Sequence, residues 1–243
     1  MENNVFKVIK SPTNNQELIF FPFAGGFAYS YNPLFKEIKS DWGIVAVEPP
    51  GHGSSTLPIE ADINNLINFY YKELSDYMQK SNNSISLFGH SMGGAVVIEL
   101  ARKLVEAEFN LENIIVSGLL PPHVKRRNCE FLKYTDEEFI EYMLLTEGLS
   151  KELMMEEKLI EYILPIFKND MLSMQNFKLK NHYNFKSPIY FLGGLTDKIA
   201  PFNHMHYWKG YFDNVNFFEF PGGHMFPLKE KALLKDLLNI LMN

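Results

Sequence analysis

The chain has 243 residues, 46% of them hydrophobic and 21% charged, enough for one domain of the larger kind with a substantial core. A formal net charge of −6 excludes the basic footprint of a nucleic-acid binder. The only cysteine, Cys129, excludes an intrachain disulfide and points to a reducing compartment.

The N-terminal Met1-Glu2-Asn3-Asn4-Val5-Phe6-Lys7 has no basic stretch leading into an apolar core, so no signal peptide is expected. The longest largely apolar run, Leu18–Tyr29, is too short for a bilayer and is interrupted by Pro22, Gly25 and Gly26. A soluble, cytoplasmic monomer with no membrane partner is therefore expected. The 21 Phe, 12 Tyr and 11 Met suit a wide apolar cavity or, equally, a densely packed core.

Leu18-Ile19-Phe20-Phe21 is a continuous apolar run, as expected of a strand buried on both faces of a parallel sheet. It stops at the small-residue loop Pro22-Phe23-Ala24-Gly25-Gly26. Tyr31 to Lys39 reads as a short helix and Gly43-Ile44-Val45-Ala46-Val47 as the next strand. Glu48-Pro49-Pro50-Gly51-His52-Gly53 is a turn-rich loop, whose His52 is a candidate polar site group or, the more usual role of a histidine between glycines, a cap on local backbone. Ile63, Leu66, Ile67, Tyr70, Leu74 and Tyr77 recur at helical spacing, so a helix is expected from Asp62 to Met78 with Asp62 as its N-cap.

Ser84-Ile85-Ser86-Leu87-Phe88 then runs into Gly89-His90-Ser91-Met92-Gly93, and a helical pattern follows at once. Strand, Gly-x-Ser-x-Gly and helix together form a nucleophile elbow. The turn is sharp and strained, and a Cβ at Gly89 or Gly93 would meet the neighbouring strand or helix. Asn113–Ser117 is another buried strand, ending at Gly118.

From Pro121 to about Lys186 the strand–helix alternation stops and several helical patterns follow. Thr135-Asp136-Glu137-Glu138 is a capping-box signature, and Ser150 is a further cap candidate. Phe139, Tyr142, Met143, Phe167, Met171 and Met174 are among the apolar positions. An all-helical insertion over 121–186 within an α/β chain reads as a lid. Its Met and Phe residues can adapt to a flexible acyl chain, or serve only to hold the lid together. Alternation resumes with the strand Pro188–Leu192, the loop Gly193-Gly194-Leu195-Thr196-Asp197 and a helical segment from His204 to Tyr211. The strand Val215–Phe220, the loop Pro221-Gly222-Gly223-His224-Met225-Phe226 and a final helix bearing Leu234, Leu237, Leu238 and Leu241 complete the chain. No repeat or linker divides residues 1–243, which read as one domain.

Ser91, Asp197 and His224 each lie just past the C-terminal end of an expected strand, where open parallel sheets build their sites. The order Ser, Asp, His is that of α/β-hydrolases. Glu219 within a strand, Asp213 in a turn, and His90, His182, His204 and His206 are weaker choices, read as surface or packing residues. In this arrangement Ser91 attacks an acyl carbonyl, His224 takes its proton, and Asp197 fixes the imidazole. The oxyanion meets the backbone N–H of Met92 and one from Phe23 or Ala24. No metal or organic cofactor is called for, and no His/Cys spacing matches a metal site.

The segments Phe21–Gly26, Glu48–Gly53, Gly89–Gly94, Pro121-Pro122-His123, Gly194–Lys198 and Gly222–Phe226 together resemble the type II thioesterases, the free-standing editing enzymes of nonribosomal peptide and polyketide assembly lines. The resemblance spans nearly the whole chain. It implies an α/β-hydrolase fold, with a mostly parallel central sheet flanked by helices and a helical lid. It also implies hydrolysis of acyl groups from the phosphopantetheine thiol of acyl or peptidyl carrier domains, with the triad on Ser91, Asp197 and His224. Carrier domains are usually acidic, so Lys125-Arg126-Arg127 is a candidate docking patch, against the plainer reading of a solvated basic run. The alternatives are a medium-chain acyl-carrier thioesterase, a carboxylesterase or acyltransferase of the same fold, and a non-catalytic binding module.

Overall fold

The computed structural model describes residues 5–124, 131–149, 153–179 and 182–242. Lys125-Arg126-Arg127, Cys129 and Ser150 lie outside the described residues. Seven strands make one sheet: β1 (Phe6–Lys10), β2 (Gln16–Phe21), β3 (Gly43–Val47), β4 (Ser84–His90), β5 (Ile114–Ser117), β6 (Ile189–Gly194) and β7 (Val215–Phe220). Their spatial order is β1-β3-β2-β4-β5-β6-β7. β1 pairs antiparallel with β3, and every other pairing is parallel.

The continuous apolar runs follow from burial on both faces. Successive side chains of a strand point to opposite sides, so each run feeds two cores. Ile19 and Phe21 of β2, Val45 and Val47 of β3, and Ile114 and Val116 of β5 face one core. They meet α2 (Ile63–Lys80) and α3 (Met92–Glu106) there. Leu18, Phe20, Ile44, Ala46 and Ile115 face the other core. That side is covered by the short α1 (Asn32–Phe35) and, near the C-terminus, α6 (Phe226–Lys229) and α7 (Lys231–Leu241). The Asp62 carboxylate accepts from the Asn64 and Asn65 amides and caps α2 as expected. Burying its Ile63, Leu66, Ile67 and Leu74 contributes about 1.5–3 kcal/mol each.

The region 121–186 carries α4 (Asp136–Leu145) and α5 (Glu157–Ser173), with 3-10 turns at Phe131–Lys133, Leu153–Met155 and Met174–Asn176. Thr135 and Glu138 form the anticipated capping box at the start of α4. Phe131, Phe139, Tyr142, Met143, Leu164, Phe167 and Met171 pack into a third, separate cluster. Among the described residues the region forms one isolated β-bridge, from Tyr183 to Phe212, and Met174, Phe177 and Tyr183 pack into the core that β2 and β5 face.

Several expectations need correction. β1 was not anticipated, and β6 runs on through Gly193 and Gly194. The helix expected over Tyr31–Lys39 is a 3-10 turn, Ala28–Tyr31, followed by the four residues of α1. The segment read as a helix from His204 to Tyr211 is a 3-10 stretch, Phe202–Gly210, with Tyr211 just past its end. No described helix is long and apolar enough to cross a membrane.

Candidate active site

Parallel pairing brings the C-terminal ends of β2, β4, β5, β6 and β7 to one edge of the sheet, with Phe21 opposite Gly89 and His90 opposite Ser117. Ser91 follows β4 with φ 54° and ψ −115°. A non-glycine residue held there costs on the order of 1–3 kcal/mol. The hydrogen bond from its amide to the Ser117 carbonyl, at 2.8 Å, helps to hold it. The flanking glycines are required by space. A Cβ on Gly89 would overlap the Gly93 carbonyl, and one on Gly93 would overlap the Phe21 carbonyl at the end of β2.

The loop after β6 places Asp197 beside His224. His224 Nδ1 lies 2.8 Å from Asp197 Oδ2, and both side chains are buried. Asp197 Oδ1 accepts from the Ile199 and Ala200 amides at 2.7 and 2.9 Å. Burial alone would raise the Asp197 pKa. The hydrogen bond and charge of His224, with the two amides, outweigh it and hold the carboxyl below its ordinary range. An ionised Asp197 only accepts, so His224 Nδ1 carries the proton and Nε2 is left with a lone pair. The two loops brace each other through Thr196 N–H to the Gly222 carbonyl, at 2.9 Å.

His90 packs against this pair, its ring centroid 4.9 Å from that of His224, with Nδ1 2.9 Å from Ser117 Oγ. Burial, reinforced by the His224 ring, pushes its pKa well below the ordinary value, so it stays neutral. Gly118, at φ +62°, leaves room for both imidazoles. His90 is thus the packing residue the sequence suggested, whereas His204 and His206 are exposed.

Met92 opens α3, where helix geometry leaves the first N–H groups without intrahelical acceptors and the macrodipole favours negative charge. In the loop after β2, the Gly25 amide donates to Asp170 Oδ2 at 2.7 Å and the Gly26 amide to the Phe23 carbonyl at 2.8 Å. The Phe23 and Ala24 amides remain as that loop's candidates to face Ser91.

Ser91, Met92, Phe23, Ala24 and His224 line one cavity of about 580 Å³, counting its open mouth. Tyr142 of α4, Phe167 and Met171 of α5, and Met174 form its far wall. Phe167 and Met171 also belong to the insertion's own cluster, so the same residues line the cavity and pack the insertion. A second cavity of about 370 Å³ lies on the other side of Phe23 and Met92, with His52 and Asp170 in its wall.

Two buried residues were not singled out as site components. Asp170 of α5 is 3% exposed and contacts the loop after β2. Its signal was its position between Phe167 and Met171 on the apolar face of α5. Glu48 accepts from the Ala28 amide at 2.8 Å and the Ser54 amide at 2.6 Å. His52 caps local backbone at Pro50 as expected, but it also reaches Asp170 across the fold.

The thioesterase domain family model matches residues 16–241. Thioesterase TesA of Mycobacterium marinum is 27% identical over 216 residues, 86% of this chain and 84% of the relative. The gramicidin S biosynthesis protein GrsT of Aneurinibacillus migulanus is 23% identical over 222 residues, 88% of this chain and 84% of the relative. The solved structure of BorB, a type II thioesterase from the borrelidin biosynthetic cluster, superposes with a TM-score of 0.86 at 23% identity and covers 100% of both chains.

Proposed function

The chain belongs to the thioesterase domain family, and on that premise we propose that it hydrolyses acyl groups from the phosphopantetheine thiol of carrier domains, releasing stalled peptide or polyketide synthetases. The observation that carries the reading is His224, hydrogen-bonded to Asp197 and sharing a cavity with the strained Ser91. The role of GrsT in gramicidin S biosynthesis supports a synthetase setting.

In the proposed reaction the thioester carbonyl enters between Ser91 and the amides of Met92 and of Phe23 or Ala24. A serine hydroxyl is a weak nucleophile at neutral pH, so its proton passes to His224 Nε2 as the Oγ–carbonyl bond forms. Asp197 stabilises the imidazolium. The amides meet the developing oxyanion, each contributing roughly 3–4 kcal/mol to lowering the barrier. The carbon–sulfur bond then breaks, and His224 returns the proton to the departing phosphopantetheine sulfur. The acyl-serine formed on Ser91 is hydrolysed when His224 takes a proton from the attacking water and returns it to Ser91 Oγ as the acyl carbon–oxygen bond breaks, which releases the acid and restores the serine. The apolar wall of α4 and α5 covers the acyl group, and the cycle calls for no metal or organic cofactor.

A mass-spectrometric deacylation assay over a panel of acyl-loaded carrier domains, with free acyl-CoA and simple esters beside it, tests the substrate class. The proposal requires the highest kcat/KM on a carrier substrate. Higher efficiency on simple esters would make the protein a general esterase of the same fold.

A further inference from the structure

Asp170 of α5 joins two parts of the fold. Its Oδ2 lies 2.7 Å from the Gly25 amide and 3.0 Å from His52 Nε2. Gly25 directly follows Phe23 and Ala24, the proposed oxyanion donors. His52 is 4% exposed, and its Nδ1 lies 2.8 Å from the Pro50 carbonyl oxygen. A carbonyl oxygen and a carboxylate both accept only. With Asp170 ionised, each ring nitrogen of His52 donates, and the ring is an imidazolium buried against that carboxylate.

The charges around His52 agree. Burial by itself would lower its pKa, but Asp170, the Pro50 carbonyl and Glu48 outweigh that and raise it above the ordinary 6.5. The other titratable groups facing it are Glu60, in the wall of the same cavity, and Tyr70 of α2. Burial, with the charges of Asp170 and Glu48, pushes the Tyr70 phenol well above its ordinary value, so it stays neutral.

Further contacts seat α5 on the same loops. Asn169 Nδ2 donates to the Glu60 carbonyl at 2.9 Å and Tyr162 OH to the Gly53 carbonyl at 3.3 Å. The Phe167 ring lies 3.4 Å from where a Cβ on Gly25 would be. α5 thus touches the loop after β2 through one charged group and one ring.

We propose that Asp170 and protonated His52 form a latch through which α5 sets the position of the Phe23 and Ala24 amides, Asp170 being a positioning residue for the oxyanion site. The proposal rests on the reading that one of those amides meets the oxyanion. When His52 loses a proton, one ring nitrogen turns a lone pair toward an oxygen that cannot donate, and the latch weakens. Since the folded pKa is the raised one, the latch is fully engaged below about 6.5 and is lost as pH climbs through the folded value.

The test combines two readouts. Nitrogen-15 correlation spectra of histidine-labelled protein should show both His52 nitrogens protonated below about pH 6.5, with the titration lying above that value. Asp170→Asn keeps an oxygen for the Gly25 amide but removes the charge. It should lower kcat on an acyl-carrier substrate about tenfold or more with little change in KM, because small displacements of an oxyanion donor act on the transition state. Wild-type kcat should fall along the His52 titration, and His52→Gln, which donates to Asp170 without titrating, should abolish that fall. A His52 that titrates at or below 6.5, a kcat indifferent to its titration, or an Asp170→Asn enzyme with wild-type kcat would overturn the latch. If Asp170→Asn does not fold, the spectra and His52→Gln decide. Ser91→Ala separates the two levels of the argument. Hydrolysis surviving in that variant sinks the active-site reading, whereas its loss beside an unaffected Asp170→Asn sinks only the latch.

Discussion

Replacing Asp197 with Asn perturbs the proposed triad where its hydrogen bonds leave no freedom. Oδ1 is taken by two donors, the amides of Ile199 at 2.7 Å and Ala200 at 2.9 Å, and Oδ2 by His224 Nδ1 at 2.8 Å. An asparagine must turn its oxygen to the two amides, because its NH2 group there would face other donors. The NH2 is then aimed at His224 Nδ1, which must accept, so the imidazole proton moves to Nε2. No lone pair is left to receive the Ser91 proton. A triad locked in the wrong tautomer loses about 10⁴ in kcat, or about 5 kcal/mol of barrier. The assay is kcat for deacylation of an acyl-loaded carrier, with a thermal melt to show that the two amide caps survive. The melts carry a second signature. Because the Asp197 pKa is depressed, its contribution to stability is present above the unfolded value of about 3.8 and lost as pH falls through the folded one. The stability gap between wild type and Asp197→Asn should therefore close in acid. A variant within about tenfold of wild-type kcat would refute the tautomer argument.

Other substitutions test the surroundings of the site. Gly89→Ala drives a Cβ into the Gly93 carbonyl and should destabilise by about 3 kcal/mol or more, read from the urea midpoint. Gly210→Ala, where nothing lies within 4 Å, should stay within about 0.5 kcal/mol; equal effects would refute the packing account of the elbow. Met171→Ala should cost about 2–3 kcal/mol and, by enlarging the chamber it lines, shift kcat/KM toward longer acyl groups across a carrier series. An unchanged chain-length ratio would detach Met171 from substrate binding.

The strands that position the site were legible because burial on both faces leaves continuous apolar runs, as at Leu18–Phe21 and Ile114–Val116. That Ser91, Asp197 and His224 come together at one edge of the sheet was legible because turn residues and chemical groups coincide at the ends of those runs. β1 was not. It is an edge strand, and its Phe-Lys-Val-Ile-Lys sequence alternates weakly with two lysines, as edges tend to. The 3-10 stretch at Phe202–Gly210 was read as regular helix because spacing alone does not separate the two; its buried Trp208 donates to the Leu119 carbonyl at 2.8 Å, a contact 89 positions away. Asp170 left a faint trace, a carboxylate on the buried stripe of α5. Its partners, 118 and 145 positions away, could be known only from the fold.

In the proposed cycle Ser91 carries the acyl group, which is tested by deacylation of an acyl-loaded carrier by Ser91→Ala, beside a carrier-binding assay on the same preparation. The expected result is a loss of at least about 10⁴ in kcat with binding retained. Hydrolysis within about tenfold of wild type by a folded Ser91→Ala protein would contradict it.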